Sequence, residues 1–301
     1  MSYKKAGIVI VGDEILKGHI NDTNSGYMCK KFHAIGVKVC RITTVPDNVD
    51  DIAEEVSKFS KKYNIVITSG GIGPTHDDIT YEGVAKGLND KIILHPEMAE
   101  VIRSYFHGSC DVKDNPALKM ALIPQSSKLI YVLPKKNGGS SSGNYEDNQG
   151  PKIAFPIVQV GNVYVLPGMS EWLQHAFDHL QKIFENPDVN IYVMKLFINA
   201  SELKIINELN KAVLRYEKSV IFGSYPSVAE GDFKTKITLE SSSLDDVCEA
   251  YSYLKSILPS DFVNKEMQIK DVDCVYELTN GRSSLANSVI DSIKVRLWEI
   301  F

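Results

Sequence analysis

An unbroken apolar run at residues 6–11 has the length of a strand and stops at a polar turn, Gly12-Asp13-Glu14. Helix and strand patterns alternate from there. Residues 22–34 read as a helix, with Asp22 or Thr23 as N-cap and Gly36 near the stop, and 37–45 as a second strand. Residues 47–62 start acidic, end in lysines and place Ile52, Val56 and Phe59 at helical spacing on one face. A third strand, 64–68, runs straight into Ser69-Gly70-Gly71-Ile72-Gly73-Pro74, and a helix begins near Ile79. Strands separated by helix-length crossovers predict right-handed βαβ units, hence an α/β fold whose mostly parallel sheet is the middle of three layers. Ligands in such sheets collect at the carboxyl ends of the strands.

A helix at 95–107 and strands at 128–133 and 153–166 follow, the last broken by a turn at Gly161-Asn162. Between them, 135–152 centres on Gly138-Gly139-Ser140-Ser141-Ser142-Gly143, a composition that cannot bury a core and predicts a flexible surface loop. A helix at 170–184 completes a first domain, 1–186, and Asn186-Pro187-Asp188 reads as a linker. The rhythm then changes to strand 191–198, helix 201–214 capped by Ser201, strands 219–222 and 233–239, and helix 244–258. That βαββα order predicts a smaller α+β, ferredoxin-like domain over 187–265. Residues 266–301 form a linker and a C-terminal helix, 284–301, whose apolar Leu285, Val289, Ile293 and Leu297 recur every four and call for a partner surface. No internal repeat is found.

The 301 residues suit two domains, and 44% hydrophobic with 24% charged residues exclude a disordered or collagenous chain. Lys plus Arg number 33 against 38 Asp plus Glu, so there is no basic field to gather nucleic acid. The five cysteines include no C-x-x-C pair, which predicts reduced thiols and neither disulfides nor a structural zinc. With no signal-peptide core and no apolar run of 18 residues, a soluble, cytoplasmic protein without membrane contact is expected.

The densest candidate site is 68–80. Glycines after a strand let backbone N–H groups approach a phosphate, the following helix adds its positive end, and Thr75 and Thr80 offer hydroxyls. Asp77 and Asp78 would repel a bare diphosphate, so their presence beside a phosphate cradle suggests a divalent cation. The plain alternative is a strand-to-helix connection with Asp78 as N-cap. A second cluster, Gly12-Asp13-Glu14 with Asp22-Thr23-Asn24, offers Asp13, Glu14 and Asn24 to a metal or to sugar hydroxyls, against turn and capping roles. Pro46-Asp47-Asn48 ends the second strand on the same edge, with Asp47 as a simple N-cap in the plain reading. Convergence of these clusters favours a site, since capping does not require it. His76 is either a general acid or a surface histidine, the second reading weighing more. His175 and His179 stand four apart, but Ala176 replaces the glutamate of a protease-type metal motif, so a structural role is favoured. Cys29 and Cys40 lack an obvious base, and Lys135-Lys136 is a solvated pair.

Gly12-Asp13-Glu14-Ile15-Leu16-Lys17-Gly18 with Asp22-x-Asn24, Val45-Pro46-Asp47, and Thr68 to Pro74 continuing into Thr75-x-Asp77-Asp78-Ile79-Thr80 resemble the MoaB/Mog-like molybdopterin-binding domain in its CinA form. Leu166-Pro167-Gly168-Met169-x-Glu171 is similar to a later segment of that family, and Gly223-Ser224-Tyr225-Pro226 resembles the eukaryotic FAD synthase version. The resemblance covers about residues 6–260. In that enzyme an adenylyltransferase domain follows a linker helix similar to 276–301; the chain here stops at Phe301 and by itself is not expected to adenylylate FMN.

The resemblance implies metal-dependent hydrolysis of FAD to FMN and AMP, or of ADP-ribose as in CinA relatives, with Mg²⁺, Mn²⁺ or Co²⁺. Gly70, Gly71 and Gly73 would hold the diphosphate, with Gly12, Asn24, Ser69, Thr75 and Thr80 completing the nucleotide site. Asp77 and Asp78 would position the metal, Asp47 and Asp78 match acidic positions important in the wider family, and Asp13 and Glu14 are candidates for a second metal contact or for general base. Two alternatives stand beside it. One is a non-catalytic nucleotide- or pterin-binding regulatory module that docks to a synthase domain through the C-terminal helix; the other is molybdopterin adenylyl transfer. Homo-oligomerisation is expected of the family, and composition gives no stoichiometry.

Overall fold

The computed structural model describes residues 3–106, 115–132, 155–187, 189–227 and 233–263. The expected loop 135–152 and the apolar segment 284–301 lie outside them. The chain divides into two compact units, Ser2–Phe32 with Val37–Glu185, and His33–Gly36 with the chain from Asn186 onward.

The first unit begins with β1 (Lys4–Val11), a short α1 (Asp13–Leu16), α2 (Asn24–Ala34), β2 (Val37–Val45), α3 (Val49–Lys62) and β3 (Ile65–Ser69). It continues through α4 (Thr80–Gly87), β4 (Ile92–Leu94), α5 (Pro96–Phe106), a 3-10 helix (Pro116–Ala121), β5 (Leu122–Pro124), β6 (Lys128–Ile130), β7 (Ile157–Val160), β8 (Val163–Leu166) and α6 (Ser170–Phe184). Six strands form one sheet in the order β2-β1-β3-β8-β7-β6. The first four run parallel; β7, joined to β8 by the hairpin at Gly161, is antiparallel to it, and β6 is antiparallel to β7 and so runs with the first four.

β1 from Ala6 onward and all of β3 are buried because helices cover both faces of the sheet. Val9 and Val11 of β1 with Val163 and Val165 of β8 face Ile52, Val56 and Phe59 of α3, Val84 of α4 and Met98 and Ile102 of α5. On α2 and α6 the core is aromatic: Phe32 meets Phe177 edge-on at 4.8 Å, and Phe184 meets Tyr164 of β8 at the same distance. The expected three-layer α/β architecture is therefore present. Three-residue strands such as β4 and β5, which pair antiparallel with each other, are too short for a hydrophobic period to reveal.

The second unit consists of β9 (Tyr192–Ile198), α7 (Glu202–Tyr216), β10 (Ile221–Pro226), β11 (Thr235–Ser241) and α8 (Leu244–Ile257). β11 lies between β9 and β10 and is antiparallel to both, the split βαβ arrangement expected from the sequence. Val263 bridges Ile198 on the other side of β9. β10 runs four residues past the expected end at Phe222, through Gly223 to Pro226. Gly223 is required there by close packing: a Cβ would stand 2.7 Å from Thr238 Oγ1 and 2.8 Å from the Tyr225 hydroxyl. Ser201 occupies the N-cap of α7 without making a side-chain cap. Among the described residues no helix is long and apolar enough to cross a membrane.

Candidate active site

Parallel neighbours end on the same edge, so Val11, Val45, Ser69 and Leu166 deliver their following loops, 12–18, 46–48, 70–79 and 167–169, to one side of the sheet. The motifs separated in sequence meet there.

The glycine turn is built by close approach. Gly70 is buried with φ +109, and a Cβ on it would sit 2.1 Å from the Val11 carbonyl oxygen. Gly71 has φ +62 and lies against the Thr80 hydroxyl, and a Cβ on Gly73 would stand 2.6 Å from the Asp78 carboxylate. Gly70 N donates to Leu166 O at 3.1 Å, and Thr80 N donates to Gly71 O at 2.9 Å. Thr80 is fully buried and its hydroxyl donates to Gly70 O at 2.8 Å. Ser69, also buried, donates to Pro167 O and accepts from Asn24 Nδ2, both at 3.2 Å. The hydroxyls of Ser69 and Thr80, expected at a ligand, are thus engaged in bracing the turn. Asn24 Nδ2 also donates to Gly168 O at 2.8 Å, while its Oδ1 is buried with no partner among the described residues.

Asp78 is not a cap. Its Oδ2 accepts from Thr75 N at 2.8 Å and from Thr75 Oγ1 at 2.5 Å, and Ile79 occupies the N-cap of α4. Asp77 Oδ1 lies 2.5 Å from the same hydroxyl, whose one proton serves either carboxylate in turn. Nor does Asp47 cap α3: Asn48 does so, accepting from Asp50 N and Asp51 N, and Asp47 Oδ2 accepts from Asp13 N at 2.9 Å. The exposed carboxylate of Glu14 lies over the bare Cα of Gly12, and Gly12 N donates to Val45 O. α2 starts at Asn24, and Asp22 Oδ1 accepts from Ser25 N at 2.9 Å. His76 is 97% exposed and 3.8 Å from Asp77, the surface placement already favoured. His175 and His179 both lie on α6.

Two lysines at this edge escaped the sequence reading. Lys17 donates to Asp13 Oδ2 at 2.7 Å, an i,i+4 pair whose spacing could have signalled it. Lys119 donates to the carbonyl oxygen of Thr75 across 44 residues, and no local pattern marks that contact.

Burial pushes the Asp47 carboxyl above the ordinary aspartate range, and the charges of Glu14, Asp13 and Asp77 push the same way. The Lys17 hydrogen bond holds Asp13 below that range, and the Thr75 hydroxyl does the same for Asp77. As pH rises from the unfolded value of an aspartate to the raised value of Asp47, the folded state keeps a proton the unfolded chain has lost, so this group's contribution falls across that window. Asp13 and Asp77 act oppositely: their contribution is present above the unfolded value and is lost as pH falls through their depressed values. Carboxyl carbon-13 titration is expected to give Asp47 the highest midpoint of the three; an Asp47 midpoint at or below that of Asp77 would show that Asp47 is not partly buried beside these carboxylates as described.

Among the described residues no three His, Cys, Asp or Glu side chains converge as a ready chelate. The donors at this edge are oxygens, which suit Mg²⁺ or Mn²⁺, and Mg²⁺ takes one or two carboxylates and completes its shell with water and phosphate. Asp77 and Asp78 on one turn fit such an open arrangement.

A sheet of this kind, with polar loops gathered at the carboxyl ends of its parallel strands, defines a doubly wound α/β protein, a class in which ligands generally bind at those ends. Residues 7–185 match the family described as probable molybdopterin binding domain, and the chain belongs to that family. Residues 190–267 match the FAD synthase middle domain. A probable FAD synthase of Caenorhabditis briggsae is 33% identical over 85% of this chain and 50% of its own length. The Caenorhabditis elegans counterpart is covered to 51%, so the chain spans about half the length of these curated relatives. A protein of Archaeoglobus fulgidus is 35% identical over 73% of this chain and 84% of its own. The solved CinA structure from Thermoplasma acidophilum is 28% identical, covering 60% of this chain and 98% of that one at a TM-score of 0.49.

Proposed function

We propose that the first unit hydrolyses a nucleotide diphosphate, FAD to FMN and AMP in the first instance, with a divalent cation. The observation that carries this reading is the placement of Asp77 and Asp78 on the same turn as Gly70, Gly71 and Gly73. The match to the FAD synthase middle domain and the relatives described as probable FAD synthases support a place in FAD metabolism. The reaction adds water across the P–O–P bridge: the water oxygen bonds to one phosphorus, the bridging oxygen leaves with the other, and a carboxylate takes the water proton. Asp47, held less acidic than Asp13 and Asp77, is better matched to that base than Asp13, which is paired with Lys17. Asp77 and Asp78 would hold the cation, which when bound neutralises phosphate charge and makes water more acidic.

A non-catalytic nucleotide- or pterin-binding module is the second reading, favoured by the buried, unpartnered Oδ1 of Asn24 beside the turn. To test the first, the protein is incubated with FAD or ADP-ribose, with and without Mg²⁺, Mn²⁺ or Co²⁺, and FMN and AMP are followed. Cation-dependent release is expected. Binding of either nucleotide without release would establish the module instead, and turnover only with a pterin and ATP would point to adenylyl transfer.

A further inference from the structure

We propose that Lys119 is the cation that receives the substrate's diphosphate at the glycine turn, an assignment that rests on the reading of that turn as a diphosphate site. The edge is strongly acidic, with Asp13, Glu14, Asp47, Asp77 and Asp78 on neighbouring loops, and a diphosphate entering it needs fixed positive charge beside the one a metal supplies. Among the described residues two ammonium groups reach these loops, and their situations differ. Lys17 is committed to an ion pair with Asp13, and Asp13, Asp47 and Glu14 all act to keep it protonated. Lys119 instead donates to an uncharged acceptor, the carbonyl oxygen of Thr75, and has no ion-pair partner among the described residues. One of its three N–H donors is used there and two remain.

Its position is prepared by the segment that carries it. Lys119 stands on the 3-10 helix Pro116–Ala121, whose start is capped by Asn115 Oδ1 accepting from Ala117 N at 3.2 Å. Leu118, Met120 and Ala121 on either side are buried in the core, so the half-buried lysine is held at the surface of the first unit by its neighbours. Thr75, the residue it reaches, is the one that binds both Asp77 and Asp78, and the Lys119 charge is felt at Asp77. Lys119 therefore flanks the glycine turn as a point charge opposite in sign to the carboxylates and in no direct ion pair among the described residues, the kind of group suited to phosphate oxygens.

The test uses the full chain, with Lys119→Ala and Lys119→Arg, and measures binding of ADP-ribose and of adenosine, which lacks phosphate, in the absence of divalent cations, together with FAD turnover. Lys119→Ala is expected to weaken ADP-ribose roughly 10-fold, to leave adenosine unchanged, and to raise the KM for FAD with kcat held within about twofold. Lys119→Arg is expected to recover part of the ADP-ribose affinity, and the wild-type salt dependence should flatten in the alanine variant. Unchanged ADP-ribose binding in Lys119→Ala overturns the assignment alone and leaves the diphosphate site standing. An equal loss for adenosine and ADP-ribose makes Lys119 a brace of the turn and overturns it too. A wild-type protein that binds neither compound, whether or not Mg²⁺ is then added, removes the diphosphate reading and the assignment with it.

Discussion

Gly70→Ala is expected to destabilise the first unit by about 3–5 kcal/mol, most of it from collision rather than from backbone preference. At φ +109 the backbone alone costs an L residue on the order of 1–2 kcal/mol. The larger part arises because the new Cβ would lie 2.1 Å from the carbonyl oxygen of Val11. Val11 cannot yield, since it ends a strand paired on both sides, to Val45 through its own register and to β3 one residue earlier. Gly18 is the control: it too has a left-handed φ, +69, but nothing lies within 4 Å of its Cβ position, so Gly18→Ala should cost only about 1 kcal/mol. Urea unfolding of both variants measures the contrast. Equal midpoints would mean that the turn does not press on β1 in the way described.

The second large effect concerns Asp78, where structure and chemistry share one side chain. Asp78→Asn keeps a carbonyl oxygen to accept from Thr75 N but removes the charge, whereas Asp78→Ala removes both. FAD or ADP-ribose turnover in the asparagine variant is expected to fall about 100- to 1000-fold, the scale of losing one preorganised electrostatic group. Its unfolding free energy should change by less than about 1 kcal/mol, with the alanine variant lower by a further ~1 kcal/mol for the orphaned Thr75 N–H. Wild-type turnover in Asp78→Asn would remove this carboxylate from the reaction and confine it to holding the turn.

The parallel sheet was legible from residues 6–68 because buried strands and amphipathic crossovers leave different periods in the chain, and Ile52, Val56 and Phe59 do fall on one buried face. The gathering of Asp13, Asp47 and the glycine turn was legible too, since parallel strands must end together. The hydrogen bonds were not. Capping rules assign Asp47 and Asp78 to helix starts, yet Asn48 and the Thr75 backbone change both assignments, because a carboxylate near a helix end goes to whichever unpaired N–H is nearest in space. Thr80 looked like a ligand group because a hydroxyl reads the same in sequence whether it faces water or, as here, a buried carbonyl. Lys119 was invisible for a third reason: its contact joins segments 44 residues apart, one of them on a 3-10 helix too short for any pattern.

The order of strands in the sheet also has a kinetic side. β1 meets β3 through pairs such as Ala6 with Ile65, and β3 meets β8 through pairs such as Val66 with Val163, so the edge that gathers these loops closes only when contacts of long sequence separation have formed. Such contacts are slow to find, because loop closure must precede the energy they return. Any ligand held between loops 12–18 and 70–79 is consequently a probe of the β1–β3 pairing, and cannot stabilise a chain caught with β1 and β2 paired but β3 still undocked. Refolding followed by ligand binding should therefore lag refolding followed by helix content.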